Sequence, residues 1–449
     1  MRNEAQHELF VKTKTRKLFF RAAIPGAIGM LASAMYQTLD GVYVGKFLGA
    51  TAFASVNLAM PFVIINFAIA DLIGVGSSVP ISISLGEGKK ETADSIFSLS
   101  CVLIVFFGIL MGLFMYILAP FFMKMMGADG EFASQAVMYL RTYAVMSPVS
   151  TMVFASDNYL RICGKIHTSM CLNIFLSVFC AVVELVFLGV FGFGIWAAAF
   201  ASCLGMAITA SISLLQFRKG RLALSFVRPV FSFSIVKKIF ACGLPSFLNN
   251  IAGRLTSIVM NMILVRLGGQ NAVSVYGVLM YADGIILPIM YGSCDSLQPA
   301  VGYNWGAGYP SRVRGIEKFC FSTSFLLCML AFLACSFIPG FIVSSFISGE
   351  IPPYAVGAVT IFAFTYLTRW ISFSTQSFML ALEKSLYATI ISISMAFIFP
   401  MILLFSLEWM GLDGIWLNFP LTSLLGAILS AVILLRVRKD IMKEDNPIE

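Results

Sequence analysis

The first apolar stretch, AAIPGAIGMLASAMYQTLDGVYVGKFLG at 22–49, holds a polar set that could do chemistry. Ser33, Tyr36, Gln37, Asp40 and Tyr43 recur three or four residues apart and so share one face of a helix. The opposite face is Ala, Leu, Ile, Met and Val. A carboxylate at membrane depth costs about 2.5–3.5 kcal/mol on insertion scales, so a helix carrying one turns it toward a cavity or other helices. The chemistry on offer is reversible binding of a proton or a small cation.

More acids lie inside apolar runs: Asp71, Glu184 and Asp283, with Asp157 and Asp295 near run ends. Asp40 lies five residues before the outer end of its run, Glu184 about seven before the end of its own, and Ser202 seven into the next. At 1.5 Å per residue all three fall at one depth, roughly 8–11 Å below the outer surface. Asp40, Glu184 and Ser202 are therefore a candidate cation or proton site. For each acid taken singly, the plain alternative is a hydrogen bond between helices.

A second polar stripe, Asn250, Arg254, Ser257 and Asn261, lies in the run at 236–265, and Asp283 follows in the next run. Arg254 and Asp283 are expected to pair across those adjacent spans, with direct substrate contact as the alternative. Tyr36, Gln37, Asn250, Arg254, Ser257, Asn261 and Asp283 are the candidate residues of a substrate cavity. The sequence alone names no partner for Asp71. The chain's 24 Met and 42 Phe supply soft, adaptable side chains, some of which can line a cavity that accepts varied ligands.

Holding such groups takes membrane helices. Hydrophobic residues make up 59% of the 449 and charged residues only 12%, against about 25% in a soluble domain. Apolar runs of bilayer length fall at 19–45, 51–85, 95–123, 132–160, 166–191, 195–217, 236–265, 271–304, 315–347, 353–382, 386–408 and 413–435. The reading is an all-α, multi-pass membrane protein of twelve helices, kinked at its prolines. The polar, basic start leads into a run of full spanning length, unlike a cleavable signal. His7 and His167 sit in loops or tails, and the ten Cys are scattered singly, so no His-built metal site or Cys–His pair supports an enzyme. GEGKK at 86–90 has the wrong spacing for a phosphate-binding loop, so transport driven by hydrolysis within this chain is not expected.

Basic residues set the orientation. Of 30 Lys and Arg, 24 fall in the terminal segments and even-numbered loops, and three (Lys46, Lys124, Arg266) in odd-numbered loops. Arg141, Arg254 and Arg369 fall inside spans. Both termini are expected in the cytoplasm, and the net charge of +8 is explained without nucleic acid.

The chain also repeats itself. Pro25 and Pro245 are 220 apart (245 − 25), as are Ala32/Ala252, Lys46/Arg266, Gly49/Gly269, Ala52/Ala272, Met60/Met280, Gly86/Gly306, Gly88/Gly308, Leu160/Leu380 and GIW at 194–196 and 414–416. This predicts two pseudo-symmetric six-helix bundles, 1–217 and 236–449, joined by the basic linker 218–235. Six being even, the repeats are parallel, with a central cavity expected between them. In this register Asp40 faces Met260 and Glu184 faces Leu404, so the acids are not repeated.

QPAVGYNWGAGYPSRVR (298–314) resembles the signature that follows span 8 in the multidrug and toxic compound extrusion (MATE) family. VGSSVPISISLGEGKKETA (75–93), LRICGK (160–165) and FGFGIWAAAFAS (191–202) resemble its other motifs, so the likeness covers nearly the whole chain. It implies a V-shaped antiporter of the plasma (inner) membrane, without a cofactor. Such a protein, read here as a monomer in the lipid bilayer, exports amphipathic, often cationic drugs against entry of H+ or Na+, a route to antibiotic resistance. The resemblance makes Asp40, Glu184 and Ser202 the ion-coupling residues, with Asp40 and Glu184 as the ligands if the ion is Na+. The resemblance assigns Asp40 to the family's span 1 acid. Glu184 falls where many members carry Asp in an Asn-x-x-x-Asp pattern, Cys180 takes the Asn place, and Ser202 falls where Thr is usual. The rival reading is a lipid-linked precursor flippase of the same superfamily, which should carry several basic residues in its cavity.

Overall fold

Long apolar segments can satisfy their backbone in a bilayer only by hydrogen-bonding within themselves as helices. The computed structural model describes residues 6–218, 222–346 and 351–444, and these are helical apart from turns and the stretch 222–232. The first six spans are α1 (Thr15–Leu48), α2 (Ala50–Gly86), α3 (Lys90–Met125), α4 (Gly130–Ser150 and Met152–Ile162), α5 (Ile166–Leu185, extended by a π turn, Val186–Val190) and α6 (Ile195–Arg218). The helical run Phe233–Asp295 breaks at Gly269 (φ 60°, ψ −151°), which gives α7 (233–268) and α8 (270–295, continued by Gln298–Gly306). Then come α9 (Pro310–Phe337), α10 (Ala355–Ala363 and Thr365–Ala381, bent by 43°), α11 (Ser385–Ile393, a π turn Ser394–Ile398, and Phe399–Leu407) and α12 (Leu412–Glu444).

Among the described residues nine helices are long and apolar enough to cross a membrane, and the bent pair of α10 makes a tenth. One of the nine, Phe233–Gly306, is 74 residues long and holds both α7 and α8. The twelfth is α4, which carries Arg141, Asp157 and Arg161 and breaks at Thr151, three residues after Pro148. A proline there removes the donor for the Ala144 carbonyl. That is where α3 comes closest: a Cβ on Gly112 would lie 2.4 Å from Ala144 O.

The chain forms two compact units, Met1–Thr13 with Ile28–Phe247 and Lys14–Ala27 with Leu248–Glu449. In the first, the start of α7 packs on α2: a Cβ on Gly243 would meet Leu72 O at 1.8 Å, and one on Gly76 would meet Ile239 O at 2.1 Å. In the second, the start of α1 packs on α8, with Ala27 Cα 2.5 Å from a Cβ on Gly292. Leu72 and Gly292 are repeat equivalents (292 − 72 = 220), so the two units use the same device. Of the linker, residues 225–230 lie along α3. The amide of Ser225 donates to Asp94 Oδ1 at 2.9 Å, that of Val227 to Ser98 Oγ at 3.0 Å, and that of Val230 to Ser95 Oγ at 3.2 Å.

Backbone geometry refines the repeat. The left-handed residues Gly49 and Gly269, and Gly88 and Gly308, keep the offset of 220. Gly164 and Glu383, and Gly192 and Gly411, stand 219 apart (383 − 164, 411 − 192). Leu160 is therefore matched by Met379, not Leu380: their carbonyls accept from Lys165 and Lys384, each at 2.9 Å. A π turn inserts one residue. The turn at Ser394–Ile398 restores 220 in α11, and the turn at Val186–Val190 removes it again in α5, so Glu184 and Leu404 still correspond.

Candidate functional site

The polar face of α1 turns inward at Tyr36 and Asp40, one helical turn apart and both buried. Cys180 and Glu184 repeat that spacing on α5 and are fully buried. Opposite them, α6 starts with Ala197, Ala198, Ala199 and Ala201, all fully buried. These small side chains let α6 come in close and bring Ser202 to the acids. Gly205, one turn on, continues this, since a Cβ there would lie 2.3 Å from Cys180 Sγ.

Tyr36 Oη donates to Glu184 Oε2 at 3.3 Å and shares a 2.5 Å hydrogen bond with Ser202 Oγ. The Asp40 and Glu184 side chains are neighbours in this buried cluster. Asp40 Oδ1 and Glu184 Oε1 accept from no donor among the described residues. The Cys180 thiol instead donates to the carbonyls of Ala201 and Ser202, at 3.7 and 3.8 Å. Two neighbouring buried carboxyl groups can share one proton or take up one small cation.

Asp40, Glu184 and Ser202, expected at one depth, thus come together with Tyr36. Two further residues belong to the cluster, Tyr139 and Tyr143 on α4, both buried, with ring centroids 5.2 Å apart. Tyr143 lies beside Ser202. Their signal was legible in the stripe Tyr139, Tyr143, Ser147 and Ser150, spaced by four, four and three. Ser147 ties that stripe to α2 through Asn66 Oδ1 at 2.9 Å. In the second unit Met260 and Leu404 are packed in an apolar core, so the repeat has no counterpart of the acid pair.

The other candidates fall elsewhere. Gln37 is exposed, on a different side of α1 from the buried acids. Asn250 and Asp71 are half-buried. Ser257 shares a 3.2 Å hydrogen bond with Tyr276, and Asn261 Nδ2 donates to the Ser257 carbonyl. The expected pairing of Arg254 with Asp283 is wrong. Asp283 Oδ1 accepts instead from Arg369 Nη1 at 2.7 Å and from Tyr366 Oη at 3.1 Å. Arg254 is exposed on a face of α7 shared with Leu255, Ile258 and Met262. Adjacency of two spans does not fix the rotation of either about its own axis, and α8 turns Asp283 toward α10. Asp157 and Asp295 are both held in polar networks, the first by Arg161, Ser169 and Asn173 and the second by Gln298 and Ser377.

The MatE family profile matches the chain twice, at residues 25–186 and 245–405, the two starts again 220 apart (245 − 25). The chain belongs to the MatE family. It is therefore a multi-pass membrane transporter and not an enzyme. Among curated proteins it is similar to the multidrug export protein MepA of Staphylococcus saprophyticus, 24% identical over 332 residues, covering 72% of each chain. It is 25% identical over 335 residues, again 72% of each chain, to MepA of Staphylococcus aureus strain MRSA252. Its fold matches a solved MATE in complex with MaL6, at a TM-score of 0.91 and 21% identity over 98% of both chains. An outward-facing multidrug resistance MATE transporter of the MOP superfamily matches at 0.90, with the same identity and coverage.

Proposed function

We propose that this MatE protein is a secondary multidrug efflux antiporter of the plasma membrane, exporting amphipathic, often cationic compounds in exchange for protons. The observation that carries the reading is the buried pair Asp40–Glu184, with Tyr36 and Ser202 closing it. The export activity printed for the MepA relatives supports the drug class. A proton is favoured over Na+ by the ligand set. A hard cation asks for oxygen donors. Position 180 offers a thiol, and that thiol is spent on two backbone carbonyls. A proton needs only the two carboxyl groups.

In this reading Asp40 and Glu184 bind the proton, Ser202 and Tyr36 orient them, and Tyr139 and Tyr143 wall the site. The repeats 1–217 and 236–449 serve as the two lobes, the linker 218–235 and both termini are cytoplasmic, and the working unit is a monomer. A flippase for pyrophosphate-linked lipids would need several available basic groups, and Arg369 is already neutralised by Asp283. The test is dye efflux from proteoliposomes with pH and Na+ gradients imposed separately. A pH gradient alone should drive efflux; efflux under a Na+ gradient alone would overturn the proton assignment.

A further inference from the structure

Arg141 sits inside α4 with no acidic partner. Its Nε donates to the Tyr116 carbonyl on α3 at 3.2 Å, and its guanidinium lies 4.8 Å from the Tyr116 ring centre. That carbonyl needs an outside donor because Pro120, four residues on, has no N–H to give it. One of the five guanidinium N–H groups is thereby used. The remainder face a groove of about 670 Å³ between α3 and α4, lined by Tyr116, Lys124, Asp129, Met138, Arg141 and Val145 among others. Among the described residues neither Arg141 nor Lys124 forms an ion pair, with Asp129 or with any other acid.

The groove opens on an apolar surface. Tyr116, Met138 and Val145 of its lining are exposed, as are Leu113, Ile117 and Phe121 beside it on α3. Close packing of α3 on α4 at Gly108 and Gly112 fixes the two helices against each other at one end. Side chains on a helix lean toward its N-terminus, so Arg141 leans toward the Gly130 end of α4, the end that also holds Lys124 of the last turn of α3. An arginine at membrane depth is costly without a counter-charge. Among the described residues no acid supplies one, and the phosphates of an adjoining leaflet are a counter-charge of the right sign.

We propose that the α3–α4 groove is a phospholipid site, with the lipid phosphate on Arg141 and Lys124 and an acyl chain along Tyr116, Met138 and Val145. The net charge of the lining favours an anionic phospholipid over a zwitterionic one. This site is separate from the Asp40–Glu184 cluster and does not depend on the transport reaction.

The test measures lipid retention by native mass spectrometry of the detergent-purified chain, using phosphatidylglycerol, phosphatidylcholine and diacylglycerol with the same acyl chains. Wild type should hold phosphatidylglycerol most tightly and diacylglycerol least. Pro120→Ala with Arg141→Gln removes the charge while returning a helical donor to the Tyr116 carbonyl. This double variant should melt near wild type and bind phosphatidylglycerol about tenfold or more weakly, the loss expected for one charge-assisted hydrogen bond. Lys124→Gln, on the exposed end of α3, should weaken it several-fold and decides the matter alone if the double variant does not fold. Diacylglycerol bound as tightly as phosphatidylglycerol would overturn the proposal. So would wild-type phosphatidylglycerol affinity in a folded double variant or, where that variant fails, in Lys124→Gln.

Discussion

Asp283 of α8 and Arg369 of α10 form an ion pair at 2.7 Å, the carboxylate buried and the guanidinium half-buried, with Tyr366 completing the carboxylate from one turn earlier on α10. A buried pair adds little over an apolar pair of the same shape, but breaking one leaves a stranded charge that costs about 3–5 kcal/mol. Asp283→Ala and Arg369→Ala should each lower the melting temperature of the purified protein, and the double variant should recover part of the loss. Arg254→Ala should melt as wild type does. A double-mutant cycle that couples Asp283 to Arg254, and not to Arg369, would refute the pairing.

The same pair marks how far the sequence could be read. Span positions were legible because a bilayer imposes length and apolarity together, and the repeat was legible because Gly49 and Gly269 need a backbone conformation that favours glycine. The Asp40–Glu184–Ser202 cluster was legible because depth follows from residue count along a straight helix. What the sequence could not supply was rotation about each helix axis. Arg254 and Arg369 are both intramembrane arginines, and only tertiary packing tells which one faces α8. The slips of the repeat register arise at π turns and loops, which carry no composition signal. The stripe that holds Tyr139 and Tyr143 is visible in the sequence but not decisive, because tyrosines at helical spacing also read as ordinary core.

Orientation gives the second prediction. The basic residues place the linker inside and the turn between α3 and α4 outside. Arg228 and Asp129 are both exposed. In a background without reactive thiols, Arg228→Cys should label only after the membrane is permeabilised, and Asp129→Cys should label in intact cells. Labelling of both positions in intact cells would contradict the twelve-span topology.

Close packing at glycine gives the third. Gly243 has the Leu72 carbonyl 1.8 Å from where a Cβ would be, and a backbone atom cannot swing aside. Gly243→Ala should cost about 1–3 kcal/mol, the usual penalty for overpacking, or more. Gly253, also on α7, has nothing within 4 Å of that position. Gly253→Ala should be neutral or stabilising by up to about 1 kcal/mol, through helix propensity alone. Thermal denaturation of the two variants side by side measures the contrast, and equal melting temperatures would deny the contact.

The last prediction concerns coupling. Asp40 and Glu184 are buried neighbours, and Tyr36 holds the second acid at 3.3 Å. An ion shifts a conformational equilibrium only by its differential affinity for the two states, so one state must present this pair better than the other. Asp40→Asn keeps shape and hydrogen bonding but fixes the neutral form, and should insert and fold normally while losing gradient-driven dye efflux. Glu184→Gln should weaken transport or move its dependence on pH. Tyr36→Phe removes one donor from a buried carboxylate, a loss of about 1–3 kcal/mol, and should shift the pH profile without abolishing efflux. The three are read together, as efflux rate against imposed pH gradient in proteoliposomes of equal protein content. Wild-type pumping by Asp40→Asn would make Asp40 a structural hydrogen-bonding residue and move the coupling site elsewhere in the chain.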